Sequence, residues 1–358
     1  MPYYAPIKGV KDKDERRRIA ERLLALRSQL DRQIPPKTST ETLLLATWNI
    51  REFGDNRRAE SIHFIAEIIS RFDLIAVQEI ARQLDGLKKL LTYLGPNWDY
   101  IVTDSTEGTA GGGERMAFIY DKNKVSFKNM ASEIVLTKEK QVFETLQFSR
   151  TPFCVAFQAG WFRFNIATVH IYYGTATDKK IEARRLEEIK KAVEFLSKRS
   201  KDEDLSYILL GDFNIPNCNT DYMSALESKK FFIPDAIKEH RSNLAKTKHY
   251  DQIAFNIKLE PTMEIFDKKN QKAGAFDFTE SVYREEDVDI YKQYFSAESL
   301  IVKDKTTKEM RPKTEKEIKD YYLSKYRTFE MSDHLPLWVE LKIDFSNQYL
   351  EKLKKSNS

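Results

Sequence analysis

Tyr207-Ile208-Leu209-Leu210-Gly211-Asp212-Phe213-Asn214 sets a short apolar run directly before an acid and an amide. Such a run, too short for a helix and closed by turn-forming residues, predicts a buried strand with polar groups at its exit. The same order recurs along the chain. Leu43-Leu44-Leu45-Ala46-Thr47-Trp48 runs into Asn49, Leu74-Ile75-Ala76-Val77-Gln78 into Glu79, and Phe164-Asn165-Ile166-Ala167-Thr168-Val169 into His170. In α/β sheets the crevice at the strand ends is where ligands bind. Strands that deliver Asn, Glu, His and Asp to one rim would build an oxygen-rich site containing an imidazole.

Outward from these strands, short apolar runs alternate with longer amphipathic stretches, the pattern of an α/β fold. Further strands are expected at Arg115–Tyr120, Tyr250–Asn256 and Leu335–Ile343, and helices at Asn56–Arg71, Gln83–Leu94 and Asp178–Lys198. Residues 106–113 read as a flexible glycine-rich loop. Ahead of the sheet, Asp12 to Gln33 is rich in helix-forming Arg, Glu and Leu, and Ile19, Leu23, Leu26 and Leu30 share one face. Pro35-Pro36 stops this helix. The expected organisation is a helical extension over 1–40 and a main domain over 41–345. Within that domain a charged insertion spans about 279–330, and a tail follows over 346–358. Lys303 to Lys325 reads as a solvated surface insertion, with a nucleic-acid-facing arm as the alternative. The N-terminal helix is expected to pack on the domain, with self-association or a regulatory protein as its other uses.

Composition narrows the class. The chain has 358 residues, 41% hydrophobic and 32% charged, with 59 Lys and Arg against 55 Asp and Glu. A net charge of +4 excludes a uniformly basic coat protein but leaves room for a local basic groove. Cys154 and Cys218 are the only cysteines, which rules out a disulfide framework. No apolar run is long enough to span a bilayer, and the first residues lack an apolar signal core. A cytoplasmic protein without membrane contact is expected.

Singly, the polar residues have ordinary explanations. Asp212 suits a turn, Asn214 a helix cap, Glu79 a sheet edge, His170 a satisfied core position, and Asp333-His334 a turn into the last strand. As a set they suit Mg²⁺, Mn²⁺ or Ca²⁺, because carboxylate and amide oxygens are hard ligands. No CxxC pair, HExxH or GxxxxGK[ST] loop is present, so thiolate-zinc, zincin and P-loop chemistry are not expected. Two histidines with acidic partners supply proton handling near neutral pH. Together these features fit metal-assisted hydrolysis of a phosphate ester.

Trp48-Asn49-Ile50-Arg51-Glu52-Phe53-Gly54, Gln78-Glu79, Gly211-Asp212-Phe213-Asn214 and Ser332-Asp333-His334 resemble the endonuclease/exonuclease/phosphatase superfamily. The likeness is greatest to its deoxyribonuclease I-like branch. Glu114-Arg115, Phe148-Ser149-Arg150-Thr151-Pro152, Val169-His170, Tyr250-Asp251-Gln252-Ile253 and Phe276-Asp277-Phe278 extend the series in order from about Leu43 to Ile343. The resemblance implies a four-layer αββα sandwich, two mixed sheets flanked by helices, with the N-terminal helix added.

It also implies roles. Glu79 is the main metal carboxylate, with Asn49 and Asp333 near the ion. Asp212 orients or deprotonates the attacking water, and Asn214 holds that water or a phosphate oxygen. His334, oriented by Asp251, would sit on the scissile phosphate, and His170, paired with Glu114, would be the second histidine, serving the leaving side or the phosphate. Arg51 and Arg150 match nucleic-acid backbone contacts, and Arg115 is a weaker candidate. The expected cofactor is Mg²⁺, with Mn²⁺ able to substitute. Ile233 to His249 does not resemble the family's structural calcium loop, so no Ca²⁺ site is carried over. Gly111-Gly112-Gly113 stands where deoxyribonuclease I presents a tyrosine to the minor groove.

The expected activity is a metal-dependent nuclease, foremost a DNA endonuclease of low sequence specificity leaving 5′-phosphate and 3′-hydroxyl ends. DNA is favoured over RNA as partner. The alternatives are a phosphodiesterase or phosphatase of the same superfamily acting on RNA, nucleotides or phosphoinositides, and, more remotely, a non-catalytic regulatory module.

Overall fold

The computed structural model describes residues 2–105, 112–174, 178–218, 220–258, 264–266 and 270–356. Among them, thirteen strands form two large sheets and a small hairpin. The first large sheet contains β1 (Thr42–Phe53), β2 (Leu74–Ile80), β3 (Trp98–Val102), β4 (Arg115–Asp121), β10 (Ala273–Ala275) and β13 (Leu337–Lys342), in the order β10-β13-β1-β2-β4-β3. The second runs in chain order through β5 (Val125–Glu133), β6 (Phe153–Ala159), β7 (Phe162–His170), β8 (Ser206–Asp212) and β9 (Asp251–Asn256). The hairpin pairs β11 (Ile301–Lys303) with β12 (Met310–Pro312).

Strand β1 shows why its sequence is apolar without a break. Leu43 and Leu45 face the second sheet. Leu44, Ala46, Trp48 and Ile50 face the helices α1 (Lys13–Gln33), α2 (Ala59–Ile69) and α3 (Asp85–Leu94). A strand buried on both faces has no polar alternation to display. The long helix α4 (Lys179–Glu203) covers the outer face of the second sheet through Ile189, Ala192, Val193 and Leu196. The result is the four-layer arrangement: helices, sheet, sheet, helices.

The sheets are also pinned through a polar contact. Gln78, fully buried, donates from Nε2 to Thr168 Oγ1 on the second sheet (2.8 Å) and to Thr47 Oγ1 on its own (3.1 Å).

Helix α1 starts at its Asp12 cap, which accepts from the backbone N–H groups of Asp14 and Glu15, and it buries Ile19, Leu23, Leu26 and Leu30. Helix α2 begins at Ala59, three residues later than the pattern suggests, because the chain before it serves another purpose. Arg57 is buried and bonds the carbonyls of Arg51 and Glu52. Six strands escape the sequence reading: the three-residue strands β10, β11 and β12, and β3, β5 and β6. β3 and β5 lie at sheet edges, and β5 is largely exposed, so neither carries a strong apolar run. Phe153-Cys154-Val155-Ala156-Phe157 in β6 does carry one.

The region expected as a charged insertion in large part extends the core between the first sheet and its helices with buried tyrosines. The β11–β12 hairpin is exposed, but Tyr283, Tyr291 and Tyr322 are buried. Their rings stack, with centroids 4.4 Å apart for Tyr283–Tyr291 and 5.9 Å for Tyr291–Tyr322. Lysines at the surface of this segment mask a tyrosine face turned inward, so Lys303 to Lys325 is not a solvated arm throughout. Gln29 and Arg22 of α1 bond to Asp277 and Asp287, which ties the N-terminal helix to this region. The expected tail is a helix over Ser346–Ser356, opened by Asp344 accepting from the Ser346 N–H. Most of the expected glycine-rich loop, residues 106–111, lies outside the described residues. Among the described residues no helix is long and apolar enough to cross a membrane.

Tyr291→Ala removes a buried ring from this tyrosine-lined part of the core and is expected to cost about 3–5 kcal/mol of unfolding free energy. Met310→Ala, on the exposed hairpin, is expected to stay within about 0.5 kcal/mol. Urea unfolding of the two variants against the parent checks both values.

Candidate active site

Strand register sets the site. β7 and β8 are parallel and β8 and β9 antiparallel, so His170 pairs with Asp212 and Asp212 with Asp251 across one row of the second sheet. In the first sheet, Asn49 pairs with Gln78, and the register slips immediately beyond them. Glu79 and Glu52 both take positive φ at this irregularity (+59° and +48°). A bulge of this kind re-aims side chains. The Glu79 carboxylate turns to accept from Asn49 Nδ2 (2.8 Å) and from the Glu52 N–H (3.0 Å). His334 is brought up by the turn before β13. Ser332 Oγ donates to the Asn49 carbonyl (2.6 Å), and Trp48 Nε1 donates to the His334 carbonyl (2.9 Å).

Asp212 is the focal group. Its Oδ2 accepts from Asn49 Nδ2 at 3.0 Å and lies 3.6 Å from His170 Nε2 and 3.7 Å from His334 Nε2. Its Oδ1 accepts from the Asn214 N–H at 2.9 Å. Asn214, at φ +55°, is anchored by donating from Nδ2 to the Ile171 carbonyl (2.8 Å).

Each imidazole is backed on its far side by its own carboxylate: Asp251 lies 2.7 Å from His334 Nδ1, and Glu114 lies 3.1 Å from His170 Nδ1. Burial disfavours the charge on His334, but the Asp251 and Asp212 carboxylates outweigh it and hold its pKa well above that of a free imidazole. Burial also pushes the Glu114 carboxyl up. The hydrogen bonds and charges of His170 and Arg150 override that and bring it down to about 2.

The structure thus brings Asn49, Glu79, Glu114, His170, Asp212, Asn214, Asp251 and His334 into one network. Asp333 adjoins His334 but is exposed, and no side-chain contact joins it to Asn49 or Glu79 among the described residues. The arginines divide. Arg150 is held by Glu114 in a two-pronged ion pair (2.7 and 3.1 Å). Arg51 donates to Thr328 Oγ1 (2.7 Å). Arg115 is directed to the carbonyls of Arg82 and Thr103 (3.0 and 2.7 Å).

Sequence reasoning missed several supporting residues. Arg57 fixes the backbone on both sides of the Arg51–Glu52 bond. The Tyr250 ring stacks on His334 (centroids 5.5 Å apart). Buried Arg185 bonds the carbonyls of Tyr172, Tyr173 and Asn214. Tyr250 is flagged by its place before Asp251; nothing in the local pattern marks the two arginines.

Oxygen donors dominate one side of the network. Asn49 Oδ1 is buried without a hydrogen-bond partner, beside the Glu79 carboxylate, which is what a hard divalent cation requires. Asp212, Asp251 and His334 also place ligand atoms within 4.8 Å of one another. In that trio His334 Nδ1 is already paired with Asp251.

A family model for endonuclease/exonuclease/phosphatase proteins matches residues 46–241, more than half of the chain and most of this network. The chain belongs to the endonuclease/exonuclease/phosphatase family. It is similar to a protein named deoxyribonuclease from Thioalkalivibrio, 29% identical over 187 residues. That match takes in 51% of this chain and 48% of the relative, so the chain spans about half the length of the curated relative it matches.

Among solved structures, a mannosyl-6-phosphatase of Bacteroides thetaiotaomicron aligns over 84% of this chain and 99% of its own (TM-score 0.52, 19% identity). An endonuclease/exonuclease/phosphatase family protein from the same organism covers 85% and 98% (TM-score 0.51, 19% identity). The human Nocturnin catalytic domain covers 84% and 94% (TM-score 0.51, 15% identity). At these identities the likeness is one of fold. The family is named for endonucleases, exonucleases and phosphatases, all of which cleave phosphoesters by hydrolysis.

Glu114 gives a prediction whose sign follows from its depressed pKa. Its ion pairs stabilise the fold fully above the ordinary carboxylate pKa of 4.5, and that contribution is lost as pH falls towards about 2. The parent protein is expected to be more stable than Glu114→Gln at neutral pH, with the difference shrinking steadily below pH 4.5. Denaturant unfolding at a series of pH values measures it.

Proposed function

We propose that this chain is a metal-dependent nuclease, most plainly a DNA endonuclease of low sequence specificity that leaves 5′-phosphate and 3′-hydroxyl ends. The observation that carries the reading is the symmetry around Asp212. Two imidazoles flank one carboxylate oxygen at 3.6 and 3.7 Å, and each is backed by a separate acid. Hydrolysis of a phosphodiester needs a base for water, a donor for the leaving oxygen, and positive charge for the pentacovalent phosphorus. One carboxylate between two oriented imidazoles meets all three needs. The relative named deoxyribonuclease supports DNA as the substrate.

In this reading Asp212 takes the proton of the attacking water, held in place by the Asn214 N–H and by Asn49 Nδ2. Asn214 lies against the same water or a phosphate oxygen. His334, kept cationic by Asp251 and Asp212, donates to a non-bridging phosphate oxygen. His170, oriented by Glu114, delivers a proton to the departing 3′ oxygen. Asn49, Glu79 and Asp333 would hold Mg²⁺, with Mn²⁺ able to substitute, and the cation would neutralise phosphoryl charge. Arg51 and Arg150 contact the backbone on either side. Contacts of this kind read phosphates and not bases, which accounts for low sequence preference. The cysteines, buried Cys154 and half-buried Cys218, are both free thiols, which supports a reducing compartment.

Nicking of supercoiled plasmid tests the reading. Mg²⁺ is expected to yield open circles with 5′-phosphate ends, and EDTA to abolish the reaction. Asp212→Asn and His334→Ala are each expected to lower kcat by roughly 10²–10⁴-fold while the far-ultraviolet circular dichroism stays unchanged. Full activity in either variant would remove the proposal.

A further inference from the structure

Tyr173 stands three residues beyond His170, on the chain leaving β7. It is 55% exposed, at the rim of a site whose imidazoles, His170 and His334, are buried and whose Tyr250 is half-buried. Its ring meets the Tyr250 ring edge-on, with centroids 6.4 Å apart and planes at 89°. Tyr250 in turn stacks on the His334 imidazole, at 5.5 Å and 30°. A continuous π surface therefore leads from solvent to the imidazole assigned to the scissile phosphate.

The backbone beneath Tyr173 is anchored. The buried Arg185 guanidinium bonds the carbonyl of Tyr173, that of Tyr172 (3.1 Å) and that of Asn214 (3.2 Å). The Tyr173 backbone and the Asn214 loop are thus clamped by a single cation. That cation also sits 6.0 Å from the centroid of the Tyr173 ring, within cation–π range.

We propose that Tyr173 is a nucleobase-stacking residue, and that the site takes polynucleotide with an unpaired base next to the scissile phosphate. The inference rests on the nuclease reading above and names its substrate class. An exposed aromatic face beside a phosphate site is matched by a ligand carrying a flat π face one nucleotide away. Inositol and sugar phosphates carry none. In a closed duplex the bases are stacked on one another and offer only their groove edges, whereas an unpaired base can leave the strand and lie on the ring. The preference expected is single strand, or frayed duplex, over intact duplex.

The test compares kcat/KM for the full chain with Mg²⁺ on three end-labelled oligonucleotides. One is single-stranded, the second is the same strand fully paired, and the third is single-stranded with tetrahydrofuran abasic residues on both sides of one phosphate. The parent is expected to cut the single strand about tenfold faster than the duplex. Tyr173→Ala is expected to lower the single-strand rate by roughly 5- to 100-fold, the value of one base–aromatic stack. On the abasic phosphate that loss is expected to shrink to about twofold, and Tyr173→Trp is expected to restore the single-strand rate. An equal loss on base-bearing and abasic phosphates would mean a sugar contact or a structural role and would overturn the proposal. So would faster cutting of intact duplex by the parent; in both cases the nuclease reading survives. If none of the three is cut, the nuclease reading fails and takes this inference with it.

Discussion

The close approach of β7 and β8 at Gly211 governs the rest of the site. Gly211 takes φ +134°, and a Cβ there would lie 2.1 Å from the Val169 carbonyl oxygen. Any side chain would push the two parallel strands apart one residue before His170 and Asp212. That pairing decides which groups share a row, and through β9 it brings Asp251 into the same row. The glycine in Gly211-Asp212-Phe213-Asn214 is therefore a spacing requirement as much as a turn preference. The 3.6 Å between His170 and Asp212 follows from this backbone pairing, whereas the 3.7 Å to His334 depends on the turn before β13 that Ser332 and Trp48 hold in place.

Charge is managed by pairing as well as by exposure. Burial alone would neutralise His334 and Glu114. Each is kept ionised by a partner on another strand or loop: Asp251 for His334, and His170 with Arg150 for Glu114. The polar groups are mutually dependent, since removing one leaves its partner buried and unpaired. Arg57 follows the same logic at one remove. Burial lowers its pKa to about 10, and it remains in place because it caps two backbone carbonyls and packs against Phe53 and Phe329.

The sequence makes the strand exits legible because apolar run and polar terminus are contiguous: Leu45 to Asn49, Leu74 to Glu79, Phe164 to His170, Tyr207 to Asp212. Four layers also follow, since strands without alternation need cover on both faces. Edge strands β3 and β5 stay hidden, as half-exposed pairing partners carry little apolar signal. The tyrosine core of the region around 279–330 is masked by lysines that share its helices. The arginines are the least legible of the site residues. Arg150 and Arg51 look like surface cations in the sequence, but their directions depend on Glu114, 36 residues away, and on Thr328, 277 residues away. Local patterns carry no information about such pairings.

Gln78 has a mechanical consequence. Its amide joins Thr47 on one sheet to Thr168 on the other, adding to the Asn49–Asp212 bond a second polar link across an interior filled mostly by apolar side chains. Asn49 and Glu79 ride on the first sheet, and His170, Asp212 and Asp251 on the second. A dowel through both layers, one position behind Glu79, stops lateral shear between the half-sites. Separating the two half-sites therefore requires breaking this buried amide link as well as the apolar packing.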